Sequence, residues 1–499
     1  MAVKVGMLVL FVVVTVAIGV WCRGQARSVD GFVLGGRNVG SWLTAFAYGT
    51  SYFSAVIFIG YAGQFGWKYG MSATWVGIGN AVVGSLLAWV VLGPRTRRMT
   101  RAISAQTMPE FFGQRYASRG LRIAAALIIF VFLVPYTASV YNGLSRLFYM
   151  AFGLPYEVCI VGMAAVTCVY VVLGGYRATV LNDAVQGVIM LVSIVAVIVA
   201  VLGANGGLGA AVQTLSTVED PAQGVSAGSL TSLFGPDAAG LLSVVVLTSL
   251  GTWGLPQMVQ KFYAIRDDAA IRRGTVISTL FALVVAGGSY FLGGFGRLYA
   301  DRVTYLADGT PAYDSIVPTM LSTVPDVLIG IVVVLVLSAS MSTLSSLVLT
   351  SSSSLTLDFL CTTVMRKVDE RTSLRTMRGL VVVFVALSAV IALVQYNSSS
   401  TFIAQLMGIS WGALAGAFLA PFFYGLYWKG ATAAGAWACF AFGVGFTVLN
   451  MFLGFAGSSI VAGAVAMVAG FVIVPVVSLF TRKPPEQSLS RAFGDEQAA

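Results

Sequence analysis

The chain has 499 residues, 58% of them hydrophobic and 10% charged, with a mean hydropathy of +0.89. That balance excludes a soluble globular protein of this length and indicates a polytopic membrane protein. The absence of histidine excludes His-ligated zinc or haem and a histidine proton relay, and the net charge of +10 is distributed in a way that rejects a nucleic-acid reading.

Hydropathy predicts about thirteen transmembrane helices in chain order: Val3–Trp21, Ser41–Phe65, Met71–Leu92, Leu121–Met150, Val158–Leu173, Ala184–Leu202, Ala238–Val259, Thr275–Phe295, Val327–Leu349, Leu380–Val394, Phe402–Tyr424, Ala433–Leu453 and Ile460–Phe480. Each is long enough to cross about 30 Å of hydrocarbon, some with help from their flanks. These are numbered spans 1 to 13. With the N-terminus outside, almost all Lys and Arg fall in inner loops: Arg23, Arg27 and Arg37 after span 1, the run from Arg95 to Arg122 after span 3, Lys261, Arg266, Arg272 and Arg273 after span 7, and Arg366, Lys367, Arg371, Arg375 and Arg378 after span 9. The outer side keeps at most Lys4, Lys68, Arg146, Arg297 and Arg302. This is the positive-inside bias, so the basic excess is topological. Span 1 lacks a basic leader and a small-residue cleavage site, and is read as a retained helix. Residues 1–480 are expected to form one membrane domain, and 481–499 a short polar, disordered cytoplasmic tail without an output domain. Cys22, Cys159, Cys168, Cys361 and Cys439 lie in spans or near the inner face, are expected to be reduced, and have no metal-ligand spacing.

Three spans carry residues out of place in plain hydrocarbon. Span 2 reads Ala47-Tyr48-Gly49-Thr50-Ser51-Tyr52-Phe53-Ser54 at mid-membrane. A helix unwinding there frees carbonyls for a cation and amides for an anionic group. Span 7 has a similar interruption, Gly251-Thr252-Trp253-Gly254-Leu255-Pro256-Gln257, where Pro256 removes a donor and disfavours helix at Leu255. Both also read as ordinary kinks. Span 9 places Ser342, Ser345 and Ser346 on one helix face with Thr343 beside them. Such hydroxyls can build an all-oxygen alkali-cation site, or simply pack closely and bond back to their own helix. Asp183, which opens span 6, is the carboxylate drawn furthest into the membrane; it serves either a bound ion or the helix N-terminal dipole.

These segments, together with Phe32-Val33-Leu34-Gly35-Gly36-Arg37 before span 2, Glu110-Phe111-Phe112-Gly113-Gln114-Arg115-Tyr116 in an inner loop, Gly174-Gly175-Tyr176 with Asp183-Ala184-Val185-Gln186 entering span 6, and Met341-Ser342-Thr343-Leu344-Ser345 in span 9, make the chain resemble the sodium/solute symporter family, and within it the bacterial sodium/proline symporters. The resemblance runs from span 1 through span 12. It implies an all-α, leucine-transporter-type fold with spans 2–6 and 7–11 as inverted repeats. It implies a first sodium site from the carbonyls of Thr50, Phe53 and Ala339 with the hydroxyls of Ser342 and Thr343. It also implies a second sodium site from Asp183, Ser342, Ser345 and Ser346. Where proline symporters carry an aspartate at the span 2 break this chain has Tyr52, and their span 7 tryptophan and tyrosine correspond to Thr248 and Thr252; Tyr136 and Pro256 are kept.

The expected substrate contacts are Tyr52, Ser54, Tyr136, Thr252, Trp253 and Gln257, with Gln405 and Trp411 beside them; for each aromatic, plain helix packing is the competing reading. No Lys or Arg is placed at midplane, so a carboxylate substrate would have to use helix N-termini, hydroxyls or the field of sodium. The expectation is a sodium-coupled importer of a small organic solute, an amino acid such as proline or a monocarboxylate, working by alternating access in the bacterial cell membrane. Sodium is its one cofactor, solute and lipid are its partners, no nucleic acid is bound, and it acts as a monomer. It is not expected to be an enzyme: no paired intramembrane carboxylates and no nucleophile–base spacing occur. The alternatives are proton coupling through Asp183 and a transporter-like membrane sensor.

Overall fold

The computed structural model describes residues 2–322, 324–365, 368–398 and 403–494. All regular elements among them are helical. Ten helices are long and apolar enough to cross a membrane, or eleven if the bent pair Ala238–Gly254 and Pro256–Ala264 counts as one span. The thirteen expected spans are therefore not recovered as thirteen separate helices. Val56–Ala102 runs through the second half of span 2 and all of span 3, and Tyr156–Ala204 through spans 5 and 6. Each merged run turns on a glycine in the left-handed region, Gly70 at φ 59° and Gly175 at φ 53°. A residue without Cβ can reverse the chain there almost without an intervening loop. At Gly175 a Cβ would also lie 2.8 Å from the Phe32 side chain.

Other boundaries move as well. Span 9 does not stop at Leu349: its helix, Asp326–Ser354, continues through a π-helical turn, Leu355–Leu360. Phe402, the expected start of span 11, and the basic pair Arg366 and Lys367 lie outside the described residues. The tail is not wholly disordered. Glu486–Phe493 is helical, and Phe493 is buried against the Arg115 guanidinium, 5.1 Å from its ring centre, and the Lys429 ammonium, 5.6 Å away. One apolar side chain with two cations over its faces is enough to seat a short helix that composition alone reads as tail.

Span 9 is enclosed on several sides. It packs against Tyr156–Ala204, Arg119–Phe152, Ser41–Tyr52 and Ala2–Cys22, and 78% of its most apolar stretch is buried, against 22% for span 1. A helix so enclosed need not present carbon to lipid, which is why it can carry Ser338, Ser340, Ser342, Thr343, Ser345, Ser346 and Ser351 to Ser354. Elsewhere helices cross at backbone contact. A Cβ on Gly66 would sit 2.0 Å from the Gly293 carbonyl carbon, and one on Gly443 2.3 Å from that of Gly416.

The basic loops meet at one end of the bundle. Arg37 donates to the carbonyls of Thr100 and Ala105, Arg101 to those of Arg37 and Ile265, and Arg115 to those of Gly425 and Trp428. There Arg122 pairs with Glu110 at 3.2 Å and with the buried Asp358 at 2.6 Å. The extension of the span 9 helix encloses Asp358. At the other end Arg297 reaches Asp220 at 2.7 Å, the Trp67 carbonyl at 3.0 Å and Gln223 at 2.9 Å.

Candidate functional site

Span 2 breaks at mid-length. The helix Ser41–Tyr52 ends on Phe53, which is extended at φ −89° and ψ 122°. Helix resumes after Ser54, whose hydroxyl accepts the Val56 N–H at 3.2 Å and caps the second half. Carbonyls of the last turn of the first half thus lose their helical donors. Span 9 fills the gap with hydroxyls. Ser342 Oγ donates to the Thr50 carbonyl at 3.0 Å and to its own Ala339 carbonyl at 3.0 Å. Thr343 Oγ1 lies 3.4 Å from the Thr50 carbonyl, 3.3 Å from that of Phe53 and 3.1 Å from that of Ala339. The structure therefore brings Thr50, Phe53, Ala339, Ser342 and Thr343 together, all buried. Thr343 is also 3.4 Å from the Ser51 carbonyl, which sequence reasoning did not include. The arrangement offers neutral oxygens from two chain segments and no formal charge, a donor set suited to a hard monovalent cation held weakly enough to leave.

A second group lies on the same helix one turn further on. Asp183 is fully buried, and its carboxylate oxygens have no hydrogen-bond donor among the described residues. Ser345 Oγ donates to the Ser342 carbonyl at 2.9 Å, and Ser346 Oγ meets Ser51 Oγ at 2.8 Å. Into this group comes Lys261. Its ammonium donates to Ser346 Oγ at 3.0 Å, stands 3.8 Å from Asp183 Oδ2 and lies 5.3 Å from the centre of the Tyr176 ring. The sequence reading put Lys261 in a basic inner loop. Instead the half-helix Pro256–Ala264 carries it inward, and it is 2% exposed. The signal was available: a helix restarting at Pro256 keeps Lys261 within its second turn.

The span 7 break is sharp. Ala238–Gly254 ends on Leu255, extended at φ −81° and ψ 122°, Pro256 opens the next helix, and the two halves bend by 44°. Around the two breaks the expected substrate residues separate into two groups. Tyr52 and Tyr136 each place their ring 5.9 Å from that of Trp411, and all three are buried with their polar atoms lacking a hydrogen-bond partner among the described residues. Gln257, at the start of the second half-helix, is buried with both amide atoms equally unpartnered. Ser54 is buried at the span 2 break.

In the second group Trp253 and Thr252 already have hydrogen-bond partners. The Trp253 indole N–H donates to the Val83 carbonyl at 2.9 Å, and its ring packs on Phe423. Thr252 Oγ1 donates to the carbonyls of Ser249 and Gly84. Gln405 is exposed. Tyr290 and Asn80, missed in the sequence, are buried, with the Tyr290 hydroxyl and the Asn80 amide nitrogen unpartnered among the described residues. Among those residues no cluster of three His, Cys, Asp or Glu could hold a metal ion, and the five cysteines are free.

The model of the sodium:solute symporter family matches residues 32–443. The chain is 31% identical over 435 residues to the sodium/pantothenate symporter of Escherichia coli (strain K12), covering 86% of each. It is 28% identical over 494 residues to the osmoregulated proline transporter OpuE of Bacillus subtilis (strain 168), covering 97% of this chain and 96% of that one. It is 30% identical over 441 residues to a sodium/proline symporter of Staphylococcus aureus (strain JH9), covering 86% of this chain and 82% of that one. Its fold is that of a Na+-coupled sialic acid symporter solved substrate-bound and outward-open, with a TM-score of 0.78 at 15% identity over 97% of this chain and 99% of the other. Mhp1, a nucleobase-cation-symport-1 family transporter in a closed conformation, matches with a TM-score of 0.51 at 16% identity over 92% and 97%. The fold is thus the leucine-transporter type, and this chain belongs to the sodium:solute symporter family, as a multi-pass membrane protein that couples the transport of a solute to sodium.

Proposed function

We propose that Thr50, Phe53, Ala339, Ser342 and Thr343 hold the coupling sodium ion, and that Tyr52, Tyr136, Trp411, Ser54 and Gln257 bind the solute beside it. The observation that carries this reading is the approach of the span 9 hydroxyls to carbonyls at the unwound span 2, across about 290 residues of sequence. Sodium bound there ties the two segments together and stabilises the solute-accepting arrangement. Asp183, Ser342, Ser345 and Ser346 form a second cation-binding group. The solute is a small carboxylate-bearing molecule, an amino acid such as proline or a monocarboxylate, in keeping with relatives named for proline and pantothenate. Its carboxylate is placed by the sodium field and the half-helix opening at Pro256, because among the described residues Lys261 is the cation found beside the span 9 hydroxyls. Trp253, Thr252 and Gln405 are left out of the proposed contact set.

Residues 1–480 act as one transport domain. The basic end faces the cytoplasm, so the N-terminus lies outside and the tail inside. A single chain carries a complete site. Import by alternating access would gain about 2.3 kcal/mol per sodium charge at 100 mV. Sodium-dependent thermal shift of the purified chain across amino acids, monocarboxylates, sugars and vitamins tests the solute class. Stabilisation by proline or a monocarboxylate is expected, and a response to sugars alone would overturn it.

A further inference from the structure

We propose that Lys261 is a tethered cation that occupies the second cation-binding group, so that this chain binds one sodium ion rather than two. The inference rests on the first-site reading above. It begins from the place of one side chain. The second group would need four ligands, Asp183, Ser342, Ser345 and Ser346. Two of them face Lys261: Ser346 Oγ accepts from its ammonium at 3.0 Å, and Asp183 Oδ2 lies 3.8 Å from it. A third, Ser345 Oγ, donates to the Ser342 carbonyl.

Charge argues the same way. Asp183 is the one carboxylate in the group and Lys261 the one cation, and both are buried. The pair is neutral as it stands. Adding sodium would leave a net positive charge in a site from which water is excluded, with two cations sharing one carboxylate, and repulsion at that range is strong in low dielectric. Removing the lysine instead would leave a buried carboxylate without a counter-ion and free the Ser346 hydroxyl that now accepts from the ammonium, and a sodium ion restores neutrality there.

The ammonium is also built in from behind. The face of Tyr176 lies 5.3 Å from it, and its stem belongs to a half-helix whose other side chains are buried. Through Ser346 and Ser51, whose hydroxyls meet at 2.8 Å, the fixed charge is one hydroxyl pair from the span 2 break. Lys261 is thus a positioning residue: it touches neither the coupling sodium nor the solute, and it sets how many ions the site accepts.

Equilibrium binding of radiolabelled sodium to the purified full chain counts the ions. Wild type is expected to bind one per chain with a Hill coefficient of one. Lys261→Gln is expected to bind two per chain, Lys261→Arg one, and Lys261→Gln with Asp183→Asn one again. Two ions in wild type, or one in folded Lys261→Gln, overturns the proposal. Lys261→Met is the second neutral variant. For both neutral variants thermal stability is expected to rise more steeply with sodium than in wild type, and no change in that slope also overturns it. Thr343→Ala separates the two readings. A roughly tenfold weaker wild-type ion, with one of the two ions weakened alike in Lys261→Gln, supports both. If Thr343→Ala leaves the sodium affinity unchanged in both backgrounds, the first-site reading fails while the count at Lys261 is still read directly.

Discussion

At the scale of single residues the site depends on hydroxyls that do two jobs. Thr343 Oγ1 is within 3.4 Å of four carbonyls from two segments, so on the proposed assignment its loss removes one sodium ligand while the backbone ligands stay. Thr343→Ala is expected to raise the sodium concentration for half-maximal uptake about tenfold, equivalent to about 1.4 kcal/mol, and Thr343→Ser to restore most of it. An unchanged sodium curve in initial-rate uptake would remove this residue from the site. Gln257 makes a different prediction. Its amide is buried and unpartnered, and a buried polar group costs free energy unless something satisfies it. Gln257→Ala is expected to raise the solute KM about tenfold with sodium affinity kept, whereas a Trp253→Phe exchange, which removes the bond to the Val83 carbonyl and part of the ring packed on Phe423, is expected to leave KM nearly unchanged. Competition binding of the identified solute separates the two.

At the scale of elements the breaks and crossings decide behaviour. Pro256 keeps the two halves of span 7 apart by withholding a backbone donor. Pro256→Ala permits a bond across the break, and is expected to lower kcat several-fold with modest change in melting temperature, as measured by uptake and by thermal unfolding of the same preparation. Gly443 faces backbone of the neighbouring helix, where a Cβ would sit 2.3 Å from Gly416. Gly443→Val is expected to cost about 1–3 kcal/mol through forced separation of spans 11 and 12, seen as a lower melting temperature at unchanged sodium affinity in what still folds.

The helix of span 8 is capped by Asp267, which accepts the Ala270 N–H at 2.7 Å and pairs with Arg266 at 2.7 Å. The Ala270 N–H first, then the Arg266 guanidinium, hold its carboxyl below the usual carboxylate range. A depressed carboxyl adds stability above its unfolded pKa and loses it as pH falls through the folded one. The melting difference between wild type and Asp267→Ala is therefore expected to shrink as pH falls from about 5 to about 3.

At the scale of the molecule each end is held by a guanidinium. Arg297 joins Trp67, Asp220 and Gln223 at one end, and Arg122 joins Glu110 to Asp358 at the other. Arg122→Ala leaves the buried Asp358 without its cation and is expected to lower stability by about 3 kcal/mol, with Arg122→Lys intermediate. Equal melting temperatures for all three would show that the pair contributes nothing. Since Arg122, on the helix Arg119–Phe152, bridges Glu110 of the loop helix Met108–Arg115 to the far end of span 9, its loss is also expected to speed exchange of bound solute at the basic end.

Much of this was legible in the residues. Composition fixes a membrane bundle, because hydrocarbon admits only apolar faces and internally bonded backbone. Pro256 announces one break, the small and hydroxyl residues around Ser51 the other, and the serines of span 9 their shared face, all consequences of local stereochemistry. What tertiary structure alone decided is which partners those groups meet. Nothing local says that Trp253 turns to Val83 while Trp411 turns to Tyr52 and Tyr136, that a glycine turn fuses two expected spans, or that Phe493 seats a tail helix. The same holds for Lys261. A lysine next to a basic loop reads as solvated, because charge is costly in hydrocarbon, and only the approach of Asp183 and Ser346 from distant segments supplies the opposite charge and the acceptor that let it lie inside.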